Sequence, residues 1–443
     1  MCVSILKLMD YKAIVIGAGP AGLSASSRLV SKGLKTLLID STTINGQGIG
    51  GLANEWHFQC AEFEEADLEG DCEFTAWPIN YSEYRKYTEI AKNILGIEIN
   101  RNNSTYSNHH HLGRNEIQVE EAETVIAKQR KWEEIFASTT ENPLLTITDG
   151  VVSRLNHNDQ SITGIEINGT QHLLGKLTNI YLAAGCVGNT EILTNSKFTS
   201  LMNSPVFSRY LADHPMFENI CLEDGYRDRF HQLFKTKKLN NKHIVTKKKY
   251  RVQINRKNLG VFEIRHFYTK RSIDNTLKRL TPIEYLKNAT NKVFSTLFNR
   301  IVFRPLITKI WIQLAQEINF ESQIKVSNTT AIKWQLNEKD LENYKLIVKA
   351  VDNYAINNGF SIRYLKKINS VQDLQDTSQP AFHLSGTTRM SKITNDSVVD
   401  ENCRLLNINN CYILGSSTFT TPSWVNPTLS IMALSIRTVD KSQ

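Results

Sequence analysis

Cysteine is scarce in this chain. Seven occur in 443 residues, at positions 2, 60, 72, 186, 221, 403 and 411. The count is odd and no pair has CxxC spacing, which argues against a disulfide framework or a thiolate zinc site. Free thiols in a reducing, cytoplasmic setting are expected. Long apolar runs are missing too. None reaches the roughly 18 uninterrupted residues a membrane-spanning helix needs. Arg300 to Ile318 comes nearest, but Arg304, Lys309 and Gln313 interrupt it, so the stretch reads as a buried or interfacial helix. The first ten residues lack the apolar core and cleavage site of a secretory signal.

A general excess of charge is also lacking. The formal net charge is +8, with 52 basic against 44 acidic side chains. Twelve of the basic residues fall between Arg227 and Lys257, where Asp228 is the one acid. That segment alone carries +11, and the remainder sums to −3. The basicity is therefore local. It has three readings: a solvated face, a patch that draws in an anionic substrate, or attraction to a membrane surface helped by Arg300–Ile318. No reader motif for nucleic acid accompanies it. Lys247-Lys248-Lys249 leads into Tyr250, Val252 and Ile254, which alternate with polar residues as a half-exposed strand would.

What is present is an ordinary globular composition, 41% hydrophobic and 22% charged, with length for about two to four domains. Ala13-Ile14-Val15-Ile16 reads as a parallel strand buried on both faces. Gly17-Ala18-Gly19-Pro20-Ala21-Gly22 follows at once, then a helix from Leu23 to Ser31, and a second strand from Thr36 to Ile39 that closes on Asp40. This is a βαβ dinucleotide-binding unit. Gly17 permits the tight turn, Gly19 the approach of a pyrophosphate to the helix N-terminus, and Gly22 close packing of helix on strand. Asp40, 18 residues past Gly22, can accept both hydroxyls of an adenosine ribose. A second match, Gly46-Gln47-Gly48-Ile49-Gly50-Gly51, has no strand leading into it and reads as a loop lying against something flat or anionic.

Four further segments, with this N-terminus, resemble the glucose–methanol–choline (GMC) family of FAD oxidoreductases. They are Gly50-Gly51-Leu52-Ala53-Asn54-Glu55-Trp56; Trp77-Pro78-Ile79-Asn80-Tyr81 with its following helix; Val151 to Leu155 with Ile180 to Gly185 and Arg209 to Pro215; and a C-terminal block from His383 to Asp440. The sugar-oxidising branch is resembled most. The resemblance implies an α/β fold, a Rossmann-type FAD domain with an attached α+β substrate domain. FAD-binding parts are expected at 10–75, 145–205 and 381–443, a helical and loop cover at 76–144, and the substrate domain at 206–380. Helix Leu341 to Asn357 is expected on the substrate sheet.

Oxidation of an alcohol by a flavin needs a base, a path for hydride to flavin N5, and stabilisation of the charge left on the ring. His383 is the expected base, since imidazole titrates near neutrality. Asn426 is the expected donor to the substrate oxygen. Pro427 and Thr428 open a helix whose positive end would face the reduced flavin. The resemblance also implies cofactor contacts at Gly50, Gly51, Asn54, Val152, Gly185, Gly415 and Ser416. Glu55 stands where pyranose oxidases carry the histidine that bonds to the flavin, so FAD is expected to be non-covalent. His57 is expected to pack. His109-His110-His111 reads as a loop and not as a metal site, and His214, before Pro215, as a turn residue. Cys186 has nothing beside it to make it a nucleophile. The expected substrate is a sugar or sugar-like alcohol, neutral or anionic, with the electron acceptor open. A flavin monooxygenase, a C=C reductase and a non-catalytic FAD-binding protein are the rival readings.

Overall fold

In a computed structural model of the protein the described residues are 8–41, 48–56, 58–97, 107–112, 115–126, 130–158, 160–223, 238–239, 244–267 and 307–442. His57 and residues 227–237 and 240–243 of the basic segment lie outside them.

The first sheet is parallel. Its strands run in the order Cys411–Ile413, Asn179–Leu182, Ala13–Ile16, Thr36–Asp40, Leu145–Asp149. Ile14 pairs with Ile180 on one side and Leu37 on the other. Alternate side chains enter different cores, as the period-two geometry of a strand dictates. Val15 and Leu38 pack with Leu23, Leu29, Leu429 and Met432, from helices Pro20–Ser31 and Thr428–Lys441. Ile14, Ile16, Leu37 and Ile39 pack with Leu155, Ile165 and Leu193, from a three-stranded antiparallel sheet and helix Gly185–Ser196. Burial on both faces is why the central strand Ala13–Ile16 contains no polar residue. Arg28 on the first helix bonds Asp440 on the last through both carboxylate oxygens, at 2.7 and 2.8 Å.

The second sheet has nine strands. Along its main path Ile362–Tyr364, Met216–Leu222, Ile307–Leu314, Lys257–Phe267, Ile244–Ile254, Asn115–Ile126 and Gln59–Cys60 lie side by side. Helix Glu338–Asn357 covers one face, as expected. A reciprocal capping box between Asn337 and Asp340 starts it. Ile347, Val351 and Tyr354 then pack on Val252, Phe262 and Ile312.

Several expectations change here. In the described part of the Arg300–Ile318 stretch, residues 307–318, the chain forms a strand, Ile307–Leu314, in place of the expected helix. Ile310, Ile312 and Leu314 alternate with Trp311 and Gln313, a period of two that the isolated charges had masked. His109-His110-His111 belongs to strand Ser107–Leu112, paired with Asn115–Ile126, and is not a loop. The 76–144 region therefore supplies sheet as well as cover. Strand Ile244–Ile254 is not half-exposed at its described positions. Its polar side is covered too, and Lys249 is only 1% exposed.

That covering pairs part of the basic segment internally. Arg251 bridges Glu64 and Glu120, the latter at 2.6 Å. Lys257 bridges Asp71 and Glu317, the latter at 2.5 Å. Replacing Arg251 by alanine leaves two facing carboxylates without their cation. Both are about one-third exposed, so solvent moderates the cost, and a loss of about 1–2 kcal/mol in denaturant unfolding is expected. No described helix is long and apolar enough to cross a membrane.

Candidate active site

The glycine turn sits at the C-terminal end of the parallel strands, where open α/β sheets bind their ligands. A Cβ at Gly17 would lie 2.4 Å from the Ala183 carbonyl oxygen, and one at Gly22 only 1.8 Å from that of Gly17. No side chain fits at either position. Gly19, Gly185 and Gly415 are different, because a Cβ there would meet open space, with at most an atom 4.0 Å away. Together they form a cradle bare of side chains along the helix N-terminus, shaped for a pyrophosphate and its sugars. At the far end Asp40 Oδ1 accepts from the Ala18 amide at 2.8 Å, which fixes the carboxylate over the turn. Burial raises its pKa, opposed by backbone hydrogen bonds. Gly150 donates to the Asp40 carbonyl, bringing Val152 close by. Gly50, with positive φ, donates to the Ala18 carbonyl, so the second glycine loop lies against the first. Asn54 turns back onto the Ile49 carbonyl.

His383 lies across this cradle on a segment tied down twice. Residues 386 to 390 bond to Ser416, Ser417 and Thr418. Ser416 also gives its hydroxyl to the Leu384 carbonyl at 2.6 Å, so its contact is with the His383 segment. The second tie is Asp213, fully buried in the segment Arg209 to Pro215. Its Oδ1 accepts from the amides of His214 and His383, at 2.6 and 2.8 Å, and its Oδ2 from Phe382 at 3.0 Å. One carboxylate thus sets the backbone of both histidines.

The imidazoles meet. His214 Nδ1 is 2.9 Å from His383 Nδ1, with the rings nearly perpendicular. His214 Nε2 is 3.2 Å from the carbonyl oxygen of Pro422. His214 is therefore no simple turn residue. It links His383 to the loop that ends in Asn426, Pro427 and Thr428. Gln313 fixes that loop at the Trp424 carbonyl, and Ser423 bonds Asp67. Asn426 is half-buried just ahead of helix Thr428–Lys441, in which Pro427 accepts the first backbone bond, from Ile431.

The second sheet closes the site with buried polar groups. Lys249 stands in register with Ala122, and Glu263 with Trp311. Lys249 and Glu263 flank the paired Tyr250 and Phe262 and so lie together on the opposite face of the sheet, away from helix Glu338–Asn357. The Lys249 ammonium is 5.6 Å from the centre of the Trp311 ring. Its charge reaches both histidines. Burial pushes His214 down to about 4, with Lys249 adding to the effect. His383 is held well below its ordinary value by burial first, then by His214 and Lys249. Both stay neutral at neutral pH, as a base must. In the folded state His214 binds fewer protons than in the unfolded state between about pH 4 and 6.5, so stability falls as pH drops through that window. Cys186 is pushed up to about 11 by burial and faces the Thr387 hydroxyl, which leaves it inert.

Asp213, Lys249, Glu263 and Trp311 were not read from the sequence as site residues. Asp213 and His214 do carry a signal there, as adjacent polar residues ahead of a proline in the apolar frame of Leu211 and Ala212. Lys249 was hidden in a charge run.

The fold and site together define an oxidoreductase architecture: a Rossmann-type dinucleotide domain roofed by a large antiparallel sheet, with a histidine between them. Residues 321–435 match the family model described as GMC oxidoreductase. That match covers about a quarter of the chain, and the fold of the whole chain is that of solved oxidases. The chain superposes on pyridoxine 4-oxidase from Mesorbium loti with a TM-score of 0.62 at 13% identity, covering 97% of this chain and 98% of that one. Formate oxidase from Aspergillus oryzae RIB40 gives 0.60 at 13%, covering 98% of each. A curated relative, thiamine thiazole synthase from Archaeoglobus fulgidus, is 40% identical over 78 residues, 18% of this chain and 28% of that protein. The same enzyme from Sulfolobus acidocaldarius is 40% identical over 52 residues, 12% of this chain and 20% of that protein. The chain thus spans about a quarter of the length of these curated relatives. FAD is the cofactor of the GMC class, and the open cradle at Gly19, Gly185 and Gly415, the bare turn and Asp40 fit it.

Proposed function

We propose that this GMC oxidoreductase oxidises a CH–OH group of a sugar or sugar-like alcohol, with His383 as the base. The observation that carries the reading is the placement of His383: neutral, backbone-clamped by Asp213, and tied through His214 to the loop leading to Asn426. When bound, FAD supplies the hydride acceptor. His383 takes the hydroxyl proton. Asn426 has no side-chain hydrogen bond among the described residues, so its amide is available to the substrate oxygen as negative charge grows there. The N-terminus of helix Thr428–Lys441 favours negative charge beside it. Glu55 offers no nucleophilic ring nitrogen for a flavin link, which supports non-covalent FAD.

The wall opposite bears on the substrate. Lys249 and Glu263 place a buried cation and a buried carboxylate side by side, with Trp311 beside the lysine. Cation and carboxylate offset each other, which suits a neutral polyol better than an anion. Anaerobic bleaching of the flavin by a panel of neutral and anionic sugars tests both points. Neutral sugars are expected to bleach it fastest. Failure of every alcohol, with reduction by a nicotinamide nucleotide intact, would favour the monooxygenase or C=C reductase readings. The bleaching rate should stay level from about pH 8 to below 6 and fall only in acid, because His383 titrates well below its ordinary value. A stopped-flow pH profile that breaks near 7 would contradict this.

A further inference from the structure

We propose that His214 is a positioning residue that holds His383 in its Nδ1–H tautomer and so leaves Nε2 as the basic nitrogen; this rests on the reading of His383 as the base. The assignment follows from what each atom in the chain can do. The Pro422 oxygen is a carbonyl and can only accept, so His214 Nε2, 3.2 Å away, must carry a proton. His214 is 1% exposed, with Lys249 nearby, and is neutral. A neutral imidazole has one N–H, so His214 Nδ1 is a lone-pair acceptor. Its partner at 2.9 Å is His383 Nδ1, which must therefore donate. His383 is neutral as well, and its other nitrogen, Nε2, is left with the free electron pair.

The chain ends at a carbonyl, so no proton moves along it. When Nε2 of His383 takes up a proton, the Nδ1–H already points at a neutral acceptor, and that hydrogen bond strengthens as the donor ring becomes cationic. The role matches that of the carboxylate in a serine-protease triad, which also fixes tautomer and ring orientation. Here a neutral ring takes its place. A carboxylate would hold a proton on His383 far more tightly, whereas a neutral imidazole beside Lys249 keeps the base unprotonated until substrate arrives. Asp213 supports the geometry through the backbone only, its oxygens accepting from amides.

The test has a spectroscopic arm and a kinetic arm. In wild-type protein labelled with ¹⁵N in its histidine rings, two-bond ¹H–¹⁵N spectra near pH 7 report each tautomer, with His214→Asn and His383→Ala used for assignment. His214 is expected as Nε2–H and His383 as Nδ1–H. An Nε2–H tautomer at His383 overturns the proposal with no reference to activity. In the kinetic arm, His214→Leu removes the acceptor and is expected to slow anaerobic flavin reduction about 10- to 100-fold and to displace its pH profile. His214→Asn can place an amide oxygen near the lost Nδ1 and is expected to restore the rate to within about threefold. Unchanged rate and pH profile in His214→Leu overturn the proposal. If His214→Leu fails to fold, the wild-type spectra and His214→Asn decide. His383→Ala separates the two levels. If it reduces flavin normally, the reading of the base is wrong; if it is crippled while His214→Leu is not, only the positioning role of His214 is wrong.

Discussion

Replacing His383 by alanine should slow the reduction of bound flavin by substrate about 10²- to 10⁴-fold, the range that general-base catalysis supplies. Binding of FAD should persist, because Asp213 holds the backbone amide of residue 383 and the Ser416 hydroxyl the carbonyl of 384, neither through the imidazole. Loss should fall on the rate constant for reduction, with substrate affinity changed little. Stopped-flow absorbance at saturating alcohol separates the two. A variant that reduces flavin at the wild-type rate would remove His383 from the chemistry. Asn426→Ala should give a loss in the lower part of that range, about 10²- to 10³-fold, since it removes a donor aimed at developing charge.

The second large effect is on assembly of the cofactor domain. Gly22→Val should yield protein without flavin. Even a methyl group at this position would lie 1.8 Å from the Gly17 oxygen and 3.2 Å from a Val15 methyl, both in the first strand and its turn. Helix Pro20–Ser31 would have to move off the sheet, taking the N-terminal amides of the cradle with it. Gly17→Ala combines the same kind of clash with a φ of +107°, which side chains rarely adopt. Gly19→Ala is the informative control. Its Cβ would meet only the Gly50 oxygen, 4.0 Å away, so the apoprotein should fold and lose chiefly affinity for FAD. Absorbance at 450 nm per protein, measured with circular dichroism, distinguishes misfolding from weak binding.

The glycine unit was legible because each of its features is local. A strand buried on both faces, a turn with no room for a side chain and an acid at the end of the next strand leave marks within 30 residues. His383 and Asn426 were found through order and spacing along the C-terminal block, and helix Glu338–Asn357 was expected from Leu341 on. The groups around the histidine were not found in this way. Asp213, His214 and Lys249 act on His383 across 134 to 170 residues of chain, and nothing local to any of them names its partner. The charge run misled for a related reason. Counting treats each lysine as solvated, whereas the sheet turns Arg251 and Lys257 toward acids in other segments and buries Lys249 beside the histidines. The strand in Ile307–Leu314 was read as helix because three polar residues in an apolar run do not by themselves fix a period.

The order of strands in the parallel sheet has a consequence for synthesis. The sheet's first strand to be made, Ala13–Ile16, sits between Thr36–Asp40 and Asn179–Leu182, and the edge beyond is Cys411–Ile413. Helix Thr428–Lys441 then clasps the first helix through Arg28 and Asp440. A nascent chain that ends before Cys411 has the nucleotide turn but neither the strand that completes its sheet nor the helix beside it. The glycine turn must wait, and a chain broken off early cannot hold a working flavin. Completion of the flavin cradle therefore comes after every described strand of the second sheet, the last of which is Ile362–Tyr364.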